Sequence, residues 1–112
     1  MIRKCDQPEC FKDFEDGFMY LECYNDKPYA YIAFYVYMQR VMFHLEVVKW
    51  SHNTLKHFYL DWAEFKDLMK ANDITEMVIT KEGLVTESYA KFLKKFGLSP
   101  PRQVAMATYD LR

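Results

Sequence analysis

Between residues 18 and 50, three consecutive segments carry large apolar side chains at every second position: Phe18 to Tyr24, Tyr29 to Met38 and Val41 to Lys49. A period of two is that of a β-strand with one buried face. Asn25-Asp26-Lys27-Pro28 separates the first pair with turn-forming residues, and Gln39-Arg40 is a tight turn between the second pair. Placing Tyr24 opposite Tyr29 brings Leu21 opposite Ile32 and Met19 opposite Phe34. Placing Met38 opposite Val41 brings Val36 opposite Phe43, Phe34 opposite Leu45 and Ile32 opposite Val47. One face is then Met19, Leu21, Cys23, Ile32, Phe34, Val36, Phe43, Leu45 and Val47, apolar throughout. A slip of one residue would send these side chains to the other side. The segment therefore reads as a three-stranded antiparallel meander with one core face.

The opposite face carries Phe18, Tyr20, Glu22, Tyr24, Tyr29, Tyr31, Tyr35, Tyr37, Met42, His44, Glu46 and Val48. Tyrosine combines a large contact area with a polar tip, and surfaces rich in it are often interfaces. Either residues 1–17 cover this face, with a short helix around Pro8 to Phe14, or Tyr20, Tyr31, Tyr35 and Tyr37 form a binding surface. The expected occupant of such a surface is a protein partner or a second copy of the chain.

After the meander, Leu55, Phe58, Tyr59, Trp62, Phe65 and Met69 recur at spacings of three and four. That is the core stripe of a helix over residues 52–72. Ser51 or Asn53 caps its start and Asn72-Asp73 ends it. Glu76 to Thr80 is a short strand. A second helix runs from Glu87 to Phe96, capped by Thr86 and ended by Gly97. Ser99-Pro100-Pro101 breaks the chain, and Gln103 to Leu111 is a last strand. A strand that leads through a helix to a neighbouring strand makes a right-handed crossover, so Val41–Lys49 and Glu76–Thr80 run parallel and adjacent. The fold class is α/β with a mixed central sheet, in the order meander, α, β, α, β.

At 112 residues the chain is expected to form a single domain. Its formal net charge is −1, with basic and acidic residues interleaved, so it lacks the concentrated basic face that nucleic-acid binding requires. The longest apolar run, Tyr29 to Met38, is too short for a membrane-spanning helix. Three cysteines (Cys5, Cys10 and Cys23) make an odd number, and the amino-terminal segment is polar. Together these point to a reducing, cytoplasmic setting rather than a disulfide scaffold.

No nucleophile motif, phosphate-binding loop or dinucleotide fingerprint is present. Cys5 and Cys10 with Asp6 and Glu9 lack zinc-ribbon spacing, and His52 and His57 are off-face for a helical metal pair, so no metal site is expected.

The order of elements, together with the stretch SYAKFLKKFGLSPP from Ser88 to Pro101, resembles the central and C-terminal part of the GNAT acetyltransferase superfamily. In particular it is similar to small, stripped-down GNAT-like proteins encoded by bacteriophages. The resemblance covers Phe18 to Leu111 and implies the family's mixed sheet. It also implies acetyl-CoA as cofactor, held where Lys49, Ser51, Asn53 and Thr54 lie at the start of the long helix. Glu46 matches the family's base, with His44 two residues away on the same face. The family's Gly-rich pyrophosphate loop is replaced by Lys49-Trp50-Ser51-His52-Asn53-Thr54-Leu55-Lys56, which contains no Gly. The family's acid, a Tyr four residues before the terminal Gly, is replaced by Leu93, with Tyr89 one turn earlier. The family's two early helices and last strand are also missing. The first expectation is therefore a non-catalytic GNAT-like binding protein without a cofactor, such as a phage accessory factor acting on a host or defence protein in the host cytoplasm. The alternative is a minimal acetyl-CoA-dependent N-acetyltransferase.

Overall fold

In the computed structural model, residues 1–48, 51–80, 91, 94–97 and 106–111 are described. Six strands form one sheet in the order β1-β2-β3-β4-β5-β6. These are β1 (Ile2–Lys4), β2 (Met19–Asn25), β3 (Lys27–Tyr37), β4 (Arg40–Val47), β5 (Glu76–Thr80) and β6 (Met106–Asp110). One long helix, α1 (His52–Ala71), connects β4 to β5. β4 and β5 are parallel neighbours, and every other adjacent pair is antiparallel. The mixed α/β architecture is the one read from the sequence, including the parallel crossover; the structure adds that the last strand lies antiparallel beside β5.

The register of the first hairpin holds at Leu21↔Ile32 and Met19↔Phe34. A bulge between Cys23 and Tyr24 then sets Tyr24 against Pro28 instead of Tyr29. Asp26, at φ 63°, makes the turn alone between the paired Asn25 and Lys27.

The second hairpin corrects the expected pairing. Its turn is Met38-Gln39, with Met38 at φ 57°, so Tyr37 faces Arg40, Val36 faces Val41 and Phe34 faces Phe43. The strands are offset by two residues from the expected register. An even offset leaves every side chain on its expected face, which is why the alternation did not expose it. The Gln39 carbonyl that follows accepts from Thr75 N at 2.8 Å and from Thr75 Oγ1 at 3.2 Å, tying this turn to the entrance of β5.

The core lies between the sheet and α1. Leu21, Cys23, Ile32, Phe34, Val41 and Phe43 meet Phe58, Trp62, Phe65 and Met69 of the helix. Phe65 contacts both Phe34 and Phe43, with ring centroids 5.8 and 5.6 Å away. Phe96 closes the helix side against Phe58 at 5.0 Å. Gly97, at φ 81°, follows in the left-handed conformation of a helix end. Lys91, Lys94 and Lys95 are helical, within the expected second helix; its cap and first turn lie outside the described residues, as do Tyr89 and Leu93.

Two expected core residues are instead exposed: Met19, the first residue of β2, at 48% and Val36, one before the end of β3, at 45%. Tyr59 of the helix stripe is exposed at 40%. Ser51, and not Asn53, caps α1: its hydroxyl accepts the Thr54 N–H at 3.1 Å.

The amino-terminal segment departs most from expectation. Ile2–Lys4 adds a strand beside β2, and only Glu9–Phe11 forms a 3-10 turn. Phe11 is buried, and its ring stacks on Tyr20 at 6.3 Å. Phe14 packs against Phe18 at 4.9 Å and edge-on to His44 at 4.9 Å. The sheet is thus covered on both faces, by α1 on one and by this segment on part of the other.

Candidate functional site

β4 and β5 are joined only over Arg40–Phe43 and Glu76–Ile79. Beyond Phe43, β4 continues through His44 and Glu46, and among the described residues no strand pairs with it on the β5 side. The chain leaves β4 at Val47 and enters α1 at His52, so the start of the helix lies at the carboxyl end of β4. In open α/β sheets such strand ends, with a helix N-terminus beside them, are where anionic ligands collect.

His52 and Asn53 are exposed in the first turn of α1, which contains no acidic residue. The positive end of the helix is therefore not offset by a side chain of its own. Ser51 and Thr54 are engaged with each other, the Ser51 hydroxyl lying 3.0 Å from Thr54 Oγ1 as well as capping the helix. Of the four expected cofactor residues, Ser51, Asn53 and Thr54 are thus brought together at one helix end, and Lys49 lies outside the described residues. A phosphate at the first turn would meet the exposed His52 and Asn53, since Ser51 Oγ and the Thr54 N–H are engaged in the cap, without the extended backbone cradle that glycines would form.

Glu46 is exposed on β4 and faces Tyr31 across the ladder. His44 faces Ala33 on the same side of the sheet. Its ring lies against Phe14 at 4.9 Å and Phe18 at 5.8 Å, both edge-on, so it is held among aromatic neighbours. A carboxylate open to solvent at a strand end can take a proton from an attacking amine.

The tyrosine face divides in two. Burial raises the phenol pKa values of Tyr20 and Tyr31, and Ala33 between the flanking strands is fully buried. Tyr35 meets Phe18 edge-on at 5.1 Å and is 37% exposed; Tyr37 is 64% exposed, next to Met38 at the hairpin tip. Of the four expected contact residues, Tyr20 and Tyr31 sit near the covering segment and Tyr35 and Tyr37 lie toward the open tip. Tyr29, also expected on this face, instead packs against the core beside the helix.

One charged residue was missed. Asp61 of α1 is 2% exposed, and it accepts hydrogen bonds from the Tyr29 hydroxyl and the Met1 amine. The available signal was its position: three residues after Phe58 and four before Phe65, squarely on the buried stripe. Burial first, and then the bond to Asp61, raises the Tyr29 pKa. Nearby Cys23 is pushed up to about 12, by burial first and then by the Asp61 charge. No group of three or more potential metal ligands is found among the described residues, and no helix among them is long and apolar enough to cross a membrane.

No family model matches the chain, and no curated protein sequence does. Solved structures do match. The PaiA N-acetyltransferase of Thermoplasma acidophilum, in complex with coenzyme A, superposes with a TM-score of 0.64 at 14% identity over 84% of this chain. The chain spans 61% of that protein's length. GCN5 of Tetrahymena matches with a TM-score of 0.63 at 14% identity, over 92% of this chain and 74% of its own. The ribosomal-protein-S18-alanine N-acetyltransferase of Escherichia coli matches with a TM-score of 0.62 at 9% identity, over 88% and 72%. At such identities the likeness is one of architecture: the chain has the fold of the GNAT acetyltransferases.

Proposed function

We propose that this domain binds acetyl-coenzyme A and transfers its acetyl group to a primary amine. The observation that supports this most is the open carboxyl end of β4, where Glu46 stands at the edge of the parallel β4/β5 pair and the uncompensated N-terminus of α1 follows. Ser51, His52, Asn53 and Thr54 would hold a phosphate of the cofactor at the first turn of the helix. The cofactor, when bound, supplies an activated thioester. Glu46 accepts the proton of the attacking amine, and His44, two residues before it on the same strand, lies among Phe14 and Phe18.

Along the sequence, Leu93 takes the position at which the resemblance implies the family's acid, and it cannot donate a proton. A thiol with a pKa near ~8.5 leaves as the thiolate at modest cost, so loss of the acid slows transfer without forbidding it. The missing glycines weaken phosphate contacts, and a lower affinity than that of a glycine-cradled site follows.

The test is a thermal-shift titration with acetyl-coenzyme A, followed by thiol release in the presence of amine-bearing peptides. At about a hundred times its Kd, a ligand stabilises the folded state by ~2.7 kcal/mol. Glu46→Gln should lower turnover by roughly 10²–10⁴-fold while leaving the thermal shift intact, as loss of a general base does. No shift with acetyl-coenzyme A or free coenzyme A, together with no thiol release, would remove this reading.

A second reading, a non-catalytic contact surface, is favoured by the exposed hairpin tip where Tyr37 and Met38 are 64% and 81% exposed. It calls for association through that tip regardless of cofactor.

A further inference from the structure

The Met1 amine is held from two sides, at the seam between α1 and the edge of the sheet. It donates to one oxygen of the Asp61 carboxylate, Oδ1, and to the Tyr24 carbonyl at 3.2 Å. The other oxygen, Oδ2, is taken by the Tyr29 hydroxyl. One residue on, the Ile2 N–H donates to Glu64 Oε2 at 3.3 Å, so α1 turns two carboxylates three residues apart toward β1. β2 holds the same residues from the other side. The Tyr24 N–H donates to the Met1 carbonyl at 2.9 Å, and the Tyr24 hydroxyl lies 2.6 Å from Met1 Sδ. The Met1 side chain is 68% exposed and that of Asp61 2%. What is seated is therefore the α-ammonium and not the methionine side chain. A carboxylate withdrawn this far from water needs a cation and donors to offset its desolvation. Among the described residues, the cation paired with Asp61 is the Met1 ammonium. β1 itself is three residues long, so this contact is a large share of what holds it to the sheet.

We propose that Asp61, with the Tyr24 carbonyl, is a receptor for the α-ammonium of Met1, and that acylation of this nitrogen is a modification that unlatches β1 from the sheet. Acylation by an acyl thioester joins the Met1 nitrogen to the acyl carbon and breaks the carbon–sulfur bond. Of the two protons the ammonium gives up, one goes to the departing thiolate and one to solvent. The product is a neutral amide with a single N–H, and its acyl group enters where Asp61 and the Tyr24 carbonyl close on the nitrogen. Asp61 is then a buried charge without its counter-ion, which is the costly way to break such a pair. A residue joined ahead of Met1 acts in the same way, because it turns the same nitrogen into a peptide N–H.

The test compares the full chain with a free Met1 amine, the same chain Nα-acetylated, and a chain with one glycine ahead of Met1, each identified by intact mass. Both blocked chains should melt roughly 5 °C or more below the free one. The Tyr24 amide, which bonds to the Met1 carbonyl, should exchange with deuterium several-fold faster in them. In Asp61→Asn, which removes the buried charge, the same blocks should shift melting clearly less. Equal melting of free and blocked chains, or an undiminished shift in Asp61→Asn, would overturn the proposal. Should Asp61→Asn fail to fold, labelling of the wild type with an acetyl succinimidyl ester decides. The Met1 amine of the folded chain should then react several-fold more slowly than in urea, and an equal rate in the two states would sink the proposal.

Discussion

The Tyr29 hydroxyl donates to the carboxylate of Asp61, across the interface between β3 and α1. Asp61 is almost fully buried, so each donor that reaches it offsets part of the cost of removing its charge from water. Tyr29→Phe deletes one donor and keeps the ring, and should cost about 1–3 kcal/mol in denaturant unfolding. Asp61→Asn in the Tyr29→Phe background should cost less than in the wild type. Simple additivity of the two substitutions would mean the contact carries no coupling.

Raised pKa values at Cys23 and Tyr29 set an alkaline limit on stability. Cys23 titrates near 9 when unfolded and about 12 when folded. The folded state binds the proton more tightly, so this contribution is fully present below pH 9 and is lost as pH rises toward 12. Three units correspond to about 4 kcal/mol as an upper bound. Tyr29 adds to the decline above its ordinary value of 10. Urea midpoints should therefore fall between pH 9 and 12, and Cys23→Ala should flatten the first part of that fall while lowering stability at pH 7.

Phe43 and Phe65 are at most 1% exposed, on opposite sides of the core. Alanine at either should cost about 3–5 kcal/mol, transfer and cavity terms together. Tyr37→Ala, at the open tip, should cost under ~1 kcal/mol. A Tyr37 change as expensive as the Phe changes would mean the tip is covered.

How far these side chains could be assigned beforehand follows from geometry. The core face of the meander was legible because parity alone fixes it, and one side of the sheet had to be apolar. The two-residue offset of β3 on β4 was not, since it preserves parity; it turns on Met38 adopting the left-handed conformation, which is uncommon for such a residue. β1 was illegible because three residues, one of them apolar, carry no period. Asp61 was passed over because its charge argued for the surface while its place on the stripe argued for the core. The capping Ser51 was recoverable as one of two candidates from its place before the helical stripe, whereas the packing of His44 against Phe14 joins residues thirty apart that no local pattern connects.

If the hairpin tip is a contact surface, Tyr37→Glu should weaken association measured by light scattering and leave the circular dichroism spectrum unchanged. The charge enters a site that is already largely wet, so folding is nearly indifferent to it. A monomer at every concentration for both proteins, with no partner retained by the wild type alone, would dispose of the contact reading.

The short strand β1 carries a further consequence, for growth of the sheet. Without it, the seven residues of β2 would present an open row of amides and carbonyls, the kind of edge on which foreign strands template themselves. With it, the outermost row shrinks to Ile2–Lys4, and two of those three residues are cationic. Arg3 is already committed to Glu22 on β2 and lies over the Tyr24 ring at 4.0 Å. An incoming strand would have to strip water from two positive charges to gain two or three hydrogen bonds, so this edge resists fibrillar stacking.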